Sequence, residues 1–358
     1  AVEGFDVIVG GHPVPDQGSI NAARAAMDLC AGLTEKDHLL VLVSGGGSAL
    51  MTMPNAGLTL DDKMAINQAL LKSGLDIHQV NAVRRLISRV KGGRLAQLAV
   101  PATVTQLVMS DVPATGDAVR DLAAIASGPF APDPVDVDDA RALIKRAGLD
   151  NYPPLSAFLE TRAQTHGPVQ PDDDVFGHVT TTIIASNEMA RSAVVSAMGG
   201  VNITLPDLAG EAADMGAQLA EIVMDAPAPI TGVSGGETVV RFDENTLSSP
   251  TDNPPLGGRS QELALAFLTA MSGYAARGHN VPRFALLAGG TDGRDGPTDA
   301  AGALVSDELI AGGAALDGLR LALMQHESYH ALNRLKALIK MPPTGTNLGD
   351  LVILKTAL

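Results

Sequence analysis

The sequence predicts an α/β fold in two domains, with a largely parallel sheet in the first. Three observations carry this expectation. Short apolar runs at residues 39–43, 102–109 and 179–185 each end in a small or polar loop. Stretches with apolar residues at helical spacing separate them, and strand–loop–helix alternation marks a parallel sheet covered by helices. The length, 358 residues, suits two domains at roughly 100–200 residues each.

Taken in order, residues 5–9 read as a strand that runs straight into a loop, and this leads us to expect chain upstream of Ala1. The loop His12-Pro13-Val14-Pro15-Asp16 is rigid, since proline fixes φ, and Asp16 can cap a helix over residues 18–33. Residues 39–43 form a buried strand that enters Ser44-Gly45-Gly46-Gly47-Ser48. Residues 60–73 read as a helix, with Asp61 and Asp62 favouring its N-terminus. Residues 102–109 form a strand ending at Ser110-Asp111-Val112-Pro113, and 179–185 one ending at Ser186-Asn187 before a helix over 188–198. A Pro/Ala stretch at residues 225–229 marks the best boundary, giving domains 1–228 and 229–358. Beyond it, residues 230–233, 238–242 and 284–287 read as a second sheet, and 262–271 as a helix.

Composition excludes several classes. A net charge of −15 argues against general nucleic-acid binding, which needs Lys and Arg against phosphates. A small anionic ligand needs only a few local donors and stays open. One cysteine, Cys30, in an apolar helical run, permits no disulfide within the chain and fits a reducing cytoplasm as a buried thiol. No uncharged apolar run reaches about 18 residues, so no membrane span is expected, nor is a signal peptide read. His326 and His330 are spaced i, i+4, but without a third ligand nearby zinc is not expected.

The polar loops carry the chemistry. Consecutive glycines in Ser44–Ser48 expose backbone N–H groups and can cradle an anion, helped by a helix N-terminus behind them. The loop is neither a Walker A motif nor GxGxxG. Arg84, Arg85, Arg89, Lys91 and Arg94 put five cations in 11 residues, and arginine forks suit carboxylate or phosphate. Asp111 closes a strand, where a carboxylate can hold Mg²⁺ or orient a hydroxyl. Arg259 stands at a helix start after Gly257-Gly258. Residues 289–299 form the densest polar loop, with Asp292, Asp295 and Asp299 as candidates for metal or base. Thr344, Thr346 and Asn347 could contact a phosphate or a carboxylate.

Read in order, HPVPD, SGGGSAL, NAVRR, KGGRLA, SDV, IASGP, GGET, GGRSQE, TDGRDGPTDAAGA and TGTN resemble the glycerate 2-kinases with a C-terminal MOFRL domain, from His12 to Asp350. The resemblance implies an N-terminal Rossmann-like three-layer domain, a smaller C-terminal α/β domain and an active site in the cleft between them. It implies transfer of the ATP γ-phosphoryl group to the 2-hydroxyl of D-glycerate with Mg²⁺, and a family lysine in a segment upstream of the HPVPD motif. On this reading Arg259, Asp292 and Asp111 are catalytic, with Asp111 and Asp292 at the metal. Ser44, Gly45, Gly46, Gly47, Ser48, Lys91, Thr346 and Asn347 bind ATP. His12, Arg84, Arg85, Glu237 and Asp295 bind substrate, and Asp292 or Asp295 takes the hydroxyl proton. The sequence departs from the family pattern at residues 113–117, at Ser260 and at Met341-Pro342. A cytoplasmic homodimer acting on a small hydroxy acid, without nucleic acid or membrane, is consistent with this. The alternatives are an NAD(P)H-dependent hydroxypyruvate reductase, a label family members carry, and a non-catalytic sugar-acid sensor.

Overall fold

The computed structural model describes residues 4–112, 115–242, 255–313 and 315–357, so Pro113 and Ala114 of the divergent segment lie outside the described residues. The chain divides into two compact units, 1–184 and 185–358. Sequence reading placed the division near 228. The difference comes from α9 (Asn187–Ala197) and α10 (Ala212–Asp225), which belong to the second unit by packing. Met215, Leu219, Ala220 and Val223 of α10 share one core with Leu263, Phe267 and Met271 of the helix that starts at Arg259.

In the first unit the elements run α1 (Gln17–Ala31), β1 (His38–Val43), α2 (Gly47–Leu50), α3 (Leu60–Lys72), α4 (Ile77–Leu86), α5 (Arg94–Ala99), β2 (Thr103–Ser110), α6 (Ala118–Ala124), α7 (Val137–Arg146), α8 (Pro153–Thr161) and β3 (Val179–Ser186). The sheet order is β1-β2-β3, and β1 runs parallel to β2 with Val43 opposite Val108. The helix starts follow local rules. Asp16 and Ser19 form a capping box on α1, Thr59 and Asp62 one on α3, and Asp76 and Gln79 one on α4. Residues 5–9 are not a strand. No strand among the described residues pairs with them, and Phe5 and Val9 lie exposed.

The second unit holds a five-stranded sheet in the order β4-β8-β5-β6-β7: β4 (Thr231–Gly236), β5 (Arg283–Gly290), β6 (Gly302–Ser306), β7 (Leu338–Ile339) and β8 (Asp350–Ala357). Every described pair in it is antiparallel. Residues 238–242 are not a strand either; only Val239 bridges, to Glu211. The helix expected from Glu262 begins three residues earlier, as α11 (Arg259–Ala276), so Arg259 is its first residue. It is apolar or small on nearly every side, and it is buried accordingly. α10 crosses it so closely that a Cβ at Gly216 would lie 2.3 Å from the Leu263 carbonyl, which only glycine allows. Short helices α12 (Asp307–Ala311), α13 (Leu316–Met324) and α14 (Ser328–Arg334) complete the unit.

Candidate active site

In the first unit the glycine loop gathers most of its expected partners. Ser44–Ser48 leaves the end of β1, and Asp111 leaves the end of the neighbouring strand β2. A Cβ on Gly45 would fall 1.9 Å from Asp111 Oδ2, so Gly45 lets that carboxylate lie flat against the loop. The His12 ring sits on the same turn, 3.5 Å from where a Gly46 Cβ would be. Lys91 reaches in from the segment after α4. Its ammonium donates to the Ser48 carbonyl oxygen at 2.6 Å and the Ser48 hydroxyl at 2.7 Å. The Ser48 hydroxyl is in turn 3.0 Å from that of Ser127. Ser127 lies in the IASGP segment, in a turn with positive φ.

The helix behind the loop, α2, is a single turn, too short for a strong dipole. The side chain that donates to this loop is Lys91. That lysine is 1% exposed, and its pKa is held well below the usual value. Burial is the main cause; Lys63, Arg84 and Arg85 add like-charge repulsion.

The five expected cations separate into different roles. Arg85 is not placed for substrate. Its guanidinium forks onto Asp133 at 2.6 and 2.8 Å, with both side chains buried. Arg94 donates to the carbonyls of Arg85, Lys91, Leu86 and His166, which ties α5 to the preceding turn. Arg84, half-buried, donates to the neutral side chains of Asn67 and Asn81, and burial lowers its pKa. Arg89 is exposed.

In the second unit, Arg259 heads α11, and Asp350 opens β8 beneath it. Arg259 Nε donates to Asp350 Oδ2 and Nη2 to Oδ1, a bidentate fork, while Nη1 donates to Glu237. Desolvation works to lower the arginine pKa, but the two carboxylates raise it overall. Burial raises the Asp350 pKa in spite of Arg259. Glu237 was expected at the substrate; here it closes the outer edge of the Arg259 fork.

Asp295 differs from expectation. It is buried, and its two oxygens accept the backbone N–H groups of Ser260 at 3.1 Å and Gln261 at 2.8 Å. It thus braces the N-terminus of α11. Desolvation, opposed by those two amides, pushes its pKa up to about 6. Asp292 accepts the Arg294 amide on Oδ1, and its carbonyl accepts the Thr344 amide. Thr344, Thr346 and Asn347 form a turn laced to this loop: the Thr344 hydroxyl donates to the Thr291 and Thr346 carbonyls, and Asn347 Oδ1 accepts the Gly349 amide. Asn347 is exposed and Thr346 half-buried.

A cavity of about 750 Å³ opens beside Arg259, walled by Val239, Val240 and Phe242 and floored by Glu262 and His326. His326 Nδ1 is 2.8 Å from Glu262 Oε1, and its ring meets Phe242 edge to face. Burial raises the Glu262 pKa. Glu262, His326 and Asp350 are not singled out as site residues by the sequence. Glu262 had a signal, lying three residues after Arg259 in the same quoted motif; His326 and Asp350, 64 and 91 residues from their partners, had none.

These two clusters lie in the parts of the chain that match known families. Residues 1–160 match a domain of unknown function, DUF4147, and residues 230–350 match the MOFRL family. A putative hydroxypyruvate reductase of Agrobacterium vitis is 39% identical, over 96% of this chain and 86% of its own. The D-glycerate 2-kinase of Thermotoga maritima is 34% identical, over 98% of this chain and 80% of its own. The crystal structure of a Thermotoga maritima glycerate kinase superposes with a TM-score of 0.81 at 34% identity, covering 100% of this chain and 82% of that one. With both family regions present in order and relatives aligned along nearly its full length, the chain belongs to the MOFRL-type glycerate kinase family.

Proposed function

We propose that this protein transfers the γ-phosphoryl group of ATP to the 2-hydroxyl of D-glycerate, giving 2-phosphoglycerate and ADP. The observation that carries this reading is the 34% identity to a D-glycerate 2-kinase over 98% of the chain. The glycine loop held by Lys91 supplies the chemistry it needs. Phosphoryl transfer asks for positioning and charge neutralisation more than covalent help. The 2-hydroxyl oxygen bonds to the γ-phosphorus as the bond to the bridging oxygen breaks. ADP leaves with that electron pair, and the hydroxyl proton passes to a carboxylate.

The backbone of Ser44–Ser48, with Lys91, suits the phosphates. Asp350 anchors the inner edge of Arg259, and Glu237, half-exposed, occupies the edge that a substrate carboxylate would take. With both oxygens of Asp295 on backbone amides, Asp292 is the better placed of the two to accept the proton. Among the described residues no cluster of three or more acidic, His or Cys side chains is poised for a metal. A Mg²⁺ brought in on ATP needs only one or two carboxylates, so the donor chemistry of Asp111 in the first unit, or of Asp292 in the second, taken singly, fits it. The ion would supply neutralisation of phosphate charge when bound. A homodimer in the cytoplasm belongs to the same reading; no helix of the described residues is long and apolar enough to cross a membrane.

Phosphorus NMR of a reaction with Mg-ATP and D-glycerate tests this. The expected products are 2-phosphoglycerate and ADP. Formation of 3-phosphoglycerate would overturn the regiochemistry. The name of the Agrobacterium relatives keeps a second reading, reduction of hydroxypyruvate. NADH oxidation with that substrate, and no ATP consumption with glycerate, would install it instead.

A further inference from the structure

Lys63 is a buried cation whose place the reading above does not explain. It lies in the first turn of α3, is 3% exposed, and its ammonium makes no hydrogen bond among the described residues. One helical turn along the same face, Asn67 accepts a hydrogen bond from Arg84. Lys63 is near enough to Arg84, Arg94 and Lys91 for each to interact with it electrostatically. Within this group Arg85 is neutralised by Asp133 and Arg94 is spent on carbonyls. Lys63, Lys91 and Arg84 remain as a cationic group with neutral partners or none.

Burying a charged ammonium without a partner costs several kcal/mol. Like-charge repulsion from Arg84 and from Lys91, both coupled to it electrostatically, adds to the cost at Lys63. A protein can retain this arrangement at little loss if an anion completes it. We propose that Lys63, Lys91 and Arg84 form a buried anion subsite, joined to the glycine loop through Ser48, and that its occupant is a phosphoryl group. The choice of phosphoryl rests on charge. A carboxylate brings one negative charge and two coplanar oxygens. A phosphoryl group brings close to two charges and three acceptor oxygens, so it can neutralise more of this cationic group than a carboxylate can. The proposal rests on the phosphotransferase reading and adds a residue, Lys63, that this reading did not contain.

In the empty protein, burial and the neighbouring cations hold the Lys63 pKa down to about 7. An arriving dianion reverses that balance and draws a proton onto the amine. Binding should therefore take up a proton from solution at alkaline pH.

The test uses the whole chain and inorganic phosphate, pyrophosphate and D-glycerate as separate probes, by calorimetry and thermal melts. In wild type at about pH 8.5, where phosphate is already a dianion, titration in two buffers of different ionisation enthalpy should reveal proton uptake. In Lys63→Met, phosphate and pyrophosphate should bind about 10- to 100-fold more weakly, the loss of one charge-assisted contact. D-glycerate affinity should hold, and the unliganded variant should melt no lower than wild type, since an apolar side chain replaces a buried amine that has no hydrogen-bond partner among the described residues. Lys63→Arg should recover part of the phosphate affinity.

Three results would overturn the subsite: unchanged phosphate affinity in Lys63→Met, no phosphate binding or no proton uptake in wild type, or selective loss of D-glycerate. The last would assign the cluster to a carboxylate. The outcome separates cleanly from the kinase reading. Lys63-dependent phosphate binding in a chain that never phosphorylates glycerate keeps the subsite and removes the kinase. Glycerate phosphorylation with Lys63-independent phosphate binding does the reverse.

Discussion

Arg259 and Asp350 meet fork to fork across 91 residues of sequence, with Nε donating to Oδ2 and Nη2 to Oδ1. The pair joins the first residue of α11 to the first residue of β8, so the guanidinium is aimed before any ligand arrives.

Arg259→Lys should therefore lose activity while leaving the fold intact. A lysine supplies a point charge and cannot span Asp350 and Glu237 together. Loss of one charge-assisted hydrogen bond, roughly 1.5–3 kcal/mol, corresponds to about 10- to 150-fold in kcat/KM. A rise in KM alone would place the contact on bound substrate, and a fall in kcat would place it on the transferring group. Steady-state kinetics indistinguishable from wild type would take Arg259 out of the site.

Gly45→Ala should act on Asp111 and little else. The new methyl would overlap the Asp111 carboxylate, and the end of that side chain is the part that can yield. We expect near-native melting with activity lowered by about 100-fold, the scale of a 1 Å misplacement. An alanine variant with wild-type kcat would show that the position of Asp111 is immaterial to the reaction.

Asp295 gives a pH signature. Its folded pKa is about 6 against 3.8 for an unperturbed carboxyl, so between these values the native state binds more protons than the unfolded chain. Its contribution to stability is thus complete below about pH 3.8 and is lost as pH rises through about 6. Relative to Asp295→Asn, which cannot ionise, wild type should gain on the order of 2 kcal/mol as pH falls from 7 to 4. Urea denaturation of both proteins across that range measures it, and parallel profiles would refute the assignment.

Arg85→Met should cost stability and not act on substrate directly. It strands the fully buried Asp133 carboxylate, which typically costs about 3–5 kcal/mol. A second replacement, Asp133→Leu, should recover much of the loss. If Arg85→Met were stable but inactive, Arg85 would return to the substrate site.

Much of this was legible in sequence because the relevant signals are local. The strand runs ending in glycine or Asp111 appear where expected, since a short apolar run bounded by turn residues has few other solutions. The cap at Asp16 was readable for the same reason, and Asp61 and Asp62 marked the start of α3, although its cap, Thr59, was not singled out. Charge density near Lys91 is the reason to expect an anion there, but it does not show which cations are already spent. Asp133, 48 residues from Arg85, decides that, and nothing in sequence pairs them. Asp295 read as a ligand because loops rich in Asp and Gly bind ligands. Its actual partners, the amides of Ser260 and Gln261, become neighbours only when β5 packs beside α11. Residues 5–9 and 238–242 have strand composition without the partners a strand requires, and composition does not report partners.

The order β4-β8-β5 has a consequence for synthesis. β4 and β5 are not neighbours in the finished sheet, because β8 lies between them. From Gly236 to Asp350 is 114 residues, so at about 5–20 residues per second β4 waits roughly 6–23 s on the ribosome for its neighbour. During that interval the native neighbour available to β5 is β6, and both β4 and the other side of β5 carry open backbone edges. A nascent chain paused shortly before residue 350 would thus hold a finished first unit and a second with two sticky seams, a natural client for chaperones.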